Sequence, residues 1–334
     1  MKILFDCHMP FQLAHGGAQT QIEETMRAVA GQGVEVEPIR WWDDGQTGVV
    51  HHVFGLPNAL YSEMAHRQGR AVVATVLLTS NCNHPVARLK VQGWIREAIS
   101  RVPGGRLFRN QTHWGDYGQV DRFVVGLEAE ARVLTLLYGV PRERISIVPL
   151  GLPSEFLNLP PAPRVGDFLI TTGTITDRKR SVDLAEMAIR ANVPILFVGK
   201  PYSCEEPYWK QFQSLVDGRI VQHQPHVADR TEMIRLLQSS RGFVIFSRHE
   251  NWCLSAHEAA ACGVPILVQD QPWARECFGT EAHYLSNDAS PENVERLAGF
   301  YRSAPSMQPP KVRRWSWDDV ARQLLEVYRL VRPS

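Results

Sequence analysis

The chain has 334 residues, a length that fits two domains of ordinary size. Hydrophobic residues make up 44% and charged residues 21%, which is typical of a globular protein with a large core. The 36 Lys and Arg residues balance 35 Asp and Glu residues, so no strong positive field would attract nucleic acid. Six scattered cysteines without a Cys-x-x-Cys pair indicate neither a disulfide framework nor a zinc site. No apolar stretch is long enough to cross a membrane, and the first is too short for a secretion signal, so we expect a cytoplasmic protein.

The first half of the chain alternates short apolar runs with amphipathic patterns, which is typical of a parallel sheet with flanking helices. A strand is predicted at Lys2 to Cys7 and a helix over about 18–30. Further strands are predicted at 34–39, 49–54, 71–78, 122–125 and 145–150. A proline-rich stretch at 151–166 then breaks the pattern, as an interdomain linker would.

The alternation restarts after this stretch and predicts a second doubly wound domain. Its strands are expected at 167–173, 194–199, 219–222, 242–246 and 265–268, with helices near 182–191, 208–216, 230–239 and 252–262. We therefore predict an α/β protein with two Rossmann-like domains facing a central cleft that holds the substrate. The predicted boundaries are 1–153 for an N-terminal acceptor-side domain, 154–166 for the linker, 167–314 for a C-terminal donor domain and 315–334 for a helix that could pack across both.

Two glutamates frame the most informative segment. A buried strand leads into a polar loop that ends at Glu250, and the predicted helix after it carries Glu258. If the whole segment between them were helical, the carboxylates would be separated by a rise of about 12 Å. That separation is too long for an acid/base pair but suits a long ligand with hydroxyl groups at both ends. Backbone N–H groups near Trp252, Cys253 and Leu254 would bind an anion between the two carboxylates, which is the layout of a nucleoside diphosphate sugar.

The segment from Glu250 to Pro265 resembles the E-x7-E motif of family-4 retaining glycosyltransferases, which have the GT-B fold. In that family the first glutamate contacts the donor sugar and the second contacts the nucleotide ribose. The resemblance therefore implies these roles for Glu250 and Glu258 respectively. Where the family usually has Phe-Gly, this chain has Trp252 and Cys253. The alternative is that the two glutamates are a helix-start charge and a solvated helix residue.

Cations cluster where the first strand of the second half ends. Arg178 and Lys179 would stabilise the negative charge that develops on a departing nucleoside diphosphate. The stretch that begins at Gly173 resembles the G-[RT]-L-x-x-x-K segment of the same family. A solvated loop charge is the alternative for Lys179 and the favoured interpretation for Arg180, which we place outside the site.

The N-terminal half contributes weaker signals. Gly16 and Gly17 follow the first strand, where backbone N–H groups could approach a phosphate or a sugar, and the family has a similar pair facing the donor. An ordinary turn is the alternative. Members of the family often carry a histidine after the strand equivalent to 71–78, which this chain lacks. Six histidines are candidate replacements, although each fits a loop or core position better: His8, His15, His51, His52, His84 and His113. Among them we choose His113, beside Trp114, for the acceptor side.

The sequence contains no Asp-x-Asp triplet, and we predict that neither a metal nor a cofactor is required, the nucleotide sugar being a substrate. The segment 85–110 interleaves apolar residues with six cations and the single acid Glu97. It is either an exposed helix face or a surface for anionic lipid or a lipid-linked glycan acceptor, which would place the protein peripherally on the inner face of a membrane.

The leading hypothesis is a glycosyltransferase that acts in polysaccharide or glycoconjugate synthesis. It would move a sugar from a nucleoside diphosphate sugar, a UDP-sugar being favoured over a GDP-sugar, to a sugar or glycoconjugate hydroxyl with retention at the anomeric carbon. Two alternatives stay open: a non-catalytic nucleotide-sugar-binding scaffold subunit and a nucleotide-sugar epimerase of the same fold. The first strand of neither half is followed by G-x-G-x-x-G, which disfavours an NAD-dependent dehydrogenase.

Overall fold

The computed structural model describes residues 1–7, 11, 16–102, 115–160, 165–288 and 290–331, which form two compact units. The first unit consists of the described residues of Met1–Phe11, Ala18–Gly151 and Trp317–Ser334. The second consists of those of Gln12–Gly17 and Leu152–Ser316. Each unit contains a six-stranded parallel sheet with helices around it. The predicted α/β class with two Rossmann-like units is confirmed.

The strands of the first unit pair in the order β2-β1-β3-β4-β5-β6. Their bounds are Lys2–Cys7 for β1, Glu35–Pro38 for β2, Val50–Phe54 for β3, Ala71–Thr75 for β4, Arg122–Val125 for β5 and Ile145–Ile147 for β6. The helices of this unit are Gly17–Gly31 (α1), Ala59–Arg67 (α2), Thr79–Cys82 (α3), Val86–Arg101 (α4), Glu128–Tyr138 (α5) and, at the C-terminal end, Trp317–Val331 (α12).

A buried histidine ties the C-terminal helix into the core of the first unit. His52 in β3 has no exposed surface, and its two ring nitrogens lie 2.7 Å from Tyr328 Oη and 2.7 Å from Thr75 Oγ1. Tyr328 belongs to α12, and Thr75 ends β4. Since a buried polar ring needs partners for both nitrogens, these two hydroxyl groups explain how the core accommodates it.

The strands of the second unit pair in the order β12-β11-β10-β7-β8-β9. Their bounds are Leu169–Thr172 for β7, Ile195–Val198 for β8, Val221–Gln224 for β9, Gly242–Val244 for β10, Ile266–Gln269 for β11 and His283–Leu285 for β12. The helices are Ser181–Ala191 (α6), Pro207–Leu215 (α7), Arg230–Ser239 (α8), Leu254–Ala261 (α9), Pro272–Phe278 (α10) and Pro291–Ser303 (α11).

The second sheet has a topological switch point between β7 and β10. These strands are neighbours, with Phe243 opposite Ile170, although β8 and β9 lie between them in sequence. The connections after β7 and β10 therefore run away from each other on opposite faces of the sheet. In open parallel sheets, ligands bind in the crevice that this divergence leaves beyond the carboxyl ends of the strands.

No helix in the part of the chain that the structure describes is long and apolar enough to cross a membrane.

Candidate functional site

Three charged side chains meet at the switch point of the second unit. Lys179 and Arg178 follow β7, and Glu250 follows β10. Lys179 Nζ lies 2.6 Å from Glu250 Oε1, and Arg178 Nη1 lies 3.1 Å from the same oxygen. The Glu250 side chain is 9% exposed and that of Lys179 is 14% exposed, whereas 39% of the Arg178 side chain faces solvent. The structure therefore brings together the three residues predicted to form the reacting end of the site.

The cations keep Glu250 ionised in spite of its burial. Burial alone would raise the pKa of this carboxyl, but the charges of Lys179 and Arg178 outweigh it and hold the pKa below its ordinary value. An ionised carboxylate only accepts hydrogen bonds. Glu250 can therefore receive hydrogen bonds from ligand hydroxyl groups but cannot act as a proton donor at neutral pH.

Hydrogen bonds between the two strand-end loops hold this ion cluster in place. The Arg248 backbone N–H donates to the Arg178 carbonyl at 2.8 Å, and Arg178 Nη1 donates to the His249 carbonyl at 3.2 Å. The Arg248 guanidinium also donates two hydrogen bonds, of 2.8 and 3.1 Å, to the Asp177 carboxylate. The loops after β7 and β10 thus form one preorganised structure.

Gln271 supports the β10 loop from the neighbouring strand, a role that no sequence motif had indicated. Its side-chain amide, just beyond β11, is buried and donates to the carbonyls of Ser247 at 3.0 Å and Arg248 at 2.9 Å. Trp273 Nε1 donates to the Gln271 side-chain oxygen at 2.9 Å and fixes the orientation of the amide. A polar residue two positions after the end of β11 was the available signal, because β10 and β11 end at the same edge of the sheet.

Arg180 is buried, and its interpretation as a solvated loop charge is wrong. Its guanidinium lies 4.0 Å from the centre of the Phe246 ring, pairs with Asp183 and donates to the Asn287 carbonyl at 2.8 Å. These contacts satisfy a cation that would otherwise be costly to bury. Arg180 is not part of the ion cluster, and its contacts connect the segment after β7 to Phe246 and Asn287.

The helix after Glu250 is shorter than predicted. It was expected over 252–262, but α9 spans Leu254–Ala261. Cys253 has φ 54° and ψ 75°, a left-handed conformation that cannot be part of a right-handed helix, so the helix begins at the next residue. The rise of about 12 Å inferred for a fully helical segment is therefore wrong. Glycine adopts this conformation without strain, which suits the position where the resembled family has glycine. The Cys253 thiol is buried, and burial raises its pKa to about 11, so it stays protonated at neutral pH.

A stack of rings fixes the start of α9. The Trp252 indole lies parallel to the His257 ring at 4.6 Å, and His257 in turn contacts Phe278 at 4.9 Å. His257 Nδ1 also lies 3.2 Å from the Cys253 carbonyl. In the first turn of α9, the backbone N–H groups of Leu254 and Ser255 have no partner within the helix and carry the positive end of its dipole. This end can hold an anion beside the ion cluster.

Glu258 lies one turn further along α9. The carboxyl is half-buried and makes no side-chain hydrogen bond to any residue that the structure describes. Burial raises its pKa to about 7, and the charge of Arg230 opposes that rise. Arg230 itself lies 3.2 Å from Glu155. Hydrogen bonds from ligand hydroxyl groups would stabilise the ionised form of this carboxyl and lower its pKa.

Two predicted glycines lie near the cluster. Gly173 has φ 143°, a backbone conformation that would strain any other residue, and a Cβ added there would be in ordinary contact with Lys179 Cε at 3.5 Å. Gly16 has φ 134°, and its added Cβ would lie 3.4 Å from Thr174 Oγ1 in the same unit. Gly17 is the first residue of α1, and nothing lies within 4 Å of its added Cβ.

The acceptor-side prediction, His113, lies outside the described residues. His51 and His52 are buried in the core of the first unit, as expected for core histidines. Glu276 is an exposed residue late in α10.

The two Rossmann-like units, each a parallel sheet with flanking helices, define the GT-B class of fold. Residues 167–299 match the family model described as glycosyl transferases, group 1. This range lies within the second unit and contains the ion cluster, α9 and Gln271. No curated protein sequence matches the chain significantly.

Solved structures with the same fold extend over the whole chain. HepE from Anabaena, in complex with UDP-glucose, superposes with a TM-score of 0.66 at 13% identity over 99% of this chain and 100% of its own. Sucrose-phosphate synthase from Thermosynechococcus elongatus gives 0.63 at 15% identity over 99% of each chain. The lipopolysaccharide outer core galactosyltransferase WaaB gives 0.65 at 12% identity, also over 99% of each chain. At these identities the likeness establishes the fold.

Proposed function

We propose that this protein is a retaining glycosyltransferase that takes a nucleoside diphosphate sugar as donor. The observation that carries the proposal is the buried carboxylate of Glu250, held by Lys179 and Arg178 at the switch point of the second unit. The match of this unit to the group 1 glycosyltransferases supports it. HepE, which shares the fold, was solved in complex with UDP-glucose, and we extend that donor class, with uridine favoured, to this chain.

Each part of the site has a role that follows from its chemistry. Glu250 accepts hydrogen bonds from hydroxyl groups of the donor sugar, since it stays ionised. Lys179, Arg178 and the N-terminus of α9, at Leu254, bind the diphosphate. Glu258 accepts hydrogen bonds from the ribose hydroxyl groups. The protein thereby holds the donor at both ends.

In the proposed reaction, the bond between the anomeric carbon and the bridging phosphate oxygen breaks as an acceptor hydroxyl forms a new bond on the same face. The departing diphosphate takes the electron pair of the broken bond, and a phosphate oxygen receives the proton of the acceptor hydroxyl. The fixed charges of Lys179 and Arg178 stabilise the leaving group without needing a metal ion. We infer that the acceptor is a glycan or a lipid-linked glycan, as in polysaccharide or glycoconjugate synthesis.

A thermal-shift panel of UDP, GDP, ADP and their sugar conjugates without added metal tests the donor site, because a ligand that binds only the folded state raises the melting temperature. We expect a selective shift with UDP or a UDP-sugar that is lost in Glu258→Ala and in Lys179→Ala. Lys210→Ala is the matched control, since Lys210 is an exposed residue of α7 in the same unit. No shift with any nucleotide would overturn the donor assignment.

Turnover separates the enzyme from a binding subunit. Cys253 is the observation that favours a non-catalytic scaffold, because it carries a side chain where a glycine would let a phosphate approach most closely. Slow hydrolysis of the donor, followed by the anomeric configuration of the released sugar in proton NMR, would support a retaining transferase. Donor binding without turnover in the presence of candidate acceptors would favour the scaffold, and an altered donor sugar formed without any acceptor would indicate an epimerase.

A further inference from the structure

Helix α4 of the first unit is packed on one side only. Leu89 is buried, and Gly93 lies so close to α5 that an added Cβ would approach the Leu136 carbonyl oxygen to 2.0 Å. Arg96, on the same side, donates a hydrogen bond to the Tyr138 carbonyl at the end of α5. This close packing fixes the rotation of α4 about its own axis.

The opposite side of α4 is an exposed apolar surface. Trp94 is 73% exposed, and Val91 and Ile95 are also exposed. At 100° per residue, the positions of Val91, Trp94, Ile95 and the exposed Ala98 fall within an arc of roughly 100°, centred well away from Gly93 and Leu89. We call these four residues the apolar stripe. Nothing in the described part of the chain covers it.

Cations border the apolar stripe along both edges. Lys90 and Arg101 fall on one side of the arc and Arg88 on the other, and all three are exposed. Glu97 is the only acid on the helix, and it lies 3.2 Å from Arg101, which neutralises it. The helix therefore presents apolar side chains flanked by a net positive charge.

We propose that α4 docks the protein on an anionic lipid surface, with the apolar stripe at the level of the acyl chains. An amphipathic helix lying in the interface needs an apolar arc, an aromatic ring that tolerates the headgroup region and long cations that reach the phosphates, and α4 supplies all three. The border of cations selects negatively charged lipid over a neutral surface and disfavours a second copy of this chain, whose α4 would carry the same positive border. The proposal depends on no step of the proposed reaction.

Co-sedimentation of the full chain with vesicles tests the docking. One set of vesicles contains phosphatidylcholine alone, and the other contains phosphatidylcholine with phosphatidylserine. We expect binding to the second set only, weakened at least about tenfold by Lys90→Glu and by high salt, as expected for cations near a charged surface. Trp94→Ala should also abolish binding. Trp42→Ala is the matched control, because Trp42 is 99% exposed but follows β2 at the other edge of the sheet.

The nucleotide thermal shift of Trp94→Ala should equal that of the wild type, which distinguishes a failure of docking from a failure of the donor site. Equal binding to both vesicle sets, or binding that Trp94→Ala leaves intact, would overturn the proposal. It would also be overturned if neither set bound, or if light scattering showed a dimer that Trp94→Ala dissociates, since a second copy would then cover the stripe.

Discussion

The amine of Lys179 lies 2.6 Å from Oε1 of Glu250, and both side chains are largely removed from solvent. The two charges of a buried ion pair depend on each other, because removing one leaves the other buried without the interaction that offset its desolvation. The pair also joins two loops that follow different strands, β7 and β10. The integrity of the candidate site and the stability of the second unit are therefore linked through these two residues.

A double-mutant cycle should reveal this dependence. Lys179→Met removes the closer cation and should destabilise the second unit by about 3–5 kcal/mol. In Lys179→Met with Glu250→Gln, no buried charge is left unpaired, so the loss should fall short of the sum of the single losses by about 1–3 kcal/mol. Urea unfolding at neutral pH measures all four free energies. Additive losses would show that the two charges do not depend on each other.

The ionisation of Glu258 should make stability depend on pH. Burial raises its pKa to about 7 in the folded protein, against an ordinary value of 4.5. The stability that its protonated form contributes is therefore complete below the ordinary pKa and is lost as the pH rises through about 7. Glu258→Gln, which stays neutral, should gain stability over the wild type between about pH 5 and pH 8, by at most about 3 kcal/mol. Urea unfolding across this range, with the exposed Glu276→Gln as control, checks the difference. A difference that is constant with pH would exclude the ionisation of Glu258 as its cause.

The local patterns in the sequence predict most of the strands, because parallel strands buried on both faces are continuous apolar runs. They missed β12 at His283–Leu285, a short edge strand whose first two residues are only partly buried. The family resemblance assigned Lys179 and Glu250 to one site, and they meet in the structure because residues that follow the neighbouring strands β7 and β10 share one edge of the sheet. The pairing of these two strands was not predicted, because β8 and β9 lie between them in sequence and the alternation of strands and helices does not fix the strand order.

Other features depend on contacts that no local pattern encodes. The burial of Arg180 requires Phe246 and Asn287, which are distant in sequence and approach only when the sheet forms. Gln271 acts through backbone carbonyls, which are the same for every residue type and leave no trace in the sequence. The left-handed conformation of Cys253 was hidden because the residue is not glycine, the usual signal for such a turn.

Substitution of Arg178 should lower nucleotide affinity, whereas substitution of Arg180 should lower stability. Arg178→Ala removes a side chain that is 39% exposed, so stability should change by less than about 1 kcal/mol while nucleotide affinity falls about tenfold or more. Arg180→Ala removes a buried guanidinium and should cost about 2–4 kcal/mol. Arg180→Lys keeps the charge but loses the planar guanidinium, so its stability should lie between those of the wild type and Arg180→Ala. Thermal unfolding and nucleotide titration of the three variants check this. Equal stability losses at 178 and 180 would contradict the assigned roles.

Gln271 should influence the donor site without touching the donor. Gln271→Leu leaves the Ser247 and Arg248 carbonyls without their amide donor, and a buried unpaired polar group costs about 1–3 kcal/mol. The loop that carries Glu250 should then shift, so nucleotide-sugar affinity should fall more than affinity for the nucleotide alone. Titrations with UDP and UDP-glucose measure the two losses. Trp273→Phe, which removes the donor to the Gln271 oxygen together with part of a buried ring, should show a weaker form of the same difference between the two ligands. Equal losses for both ligands would argue against a role in positioning Glu250.

The first unit should lose stability in acid through its buried histidines. Burial lowers the pKa of His52 to about 3 and that of His51 to about 4, against an ordinary value of 6.5. Both rings therefore stay neutral in the folded protein while they become charged in the unfolded chain. Their contribution to stability is complete above the ordinary pKa and is lost as the pH falls toward these values, by up to about 1.4 kcal/mol per pH unit for each ring.

His52→Asn removes one of these rings, and its unfolding free energy should fall less steeply between about pH 6 and pH 4 than that of the wild type. The variant should also be less stable at neutral pH, because Tyr328 and Thr75 lose a shared partner in the core. Tyr328→Phe keeps the ring but removes one of its partners, so it should be destabilised while retaining the steep dependence on pH. Urea unfolding followed by tryptophan fluorescence measures both slopes. A slope that is unchanged in His52→Asn would show that the acid sensitivity of the first unit arises elsewhere.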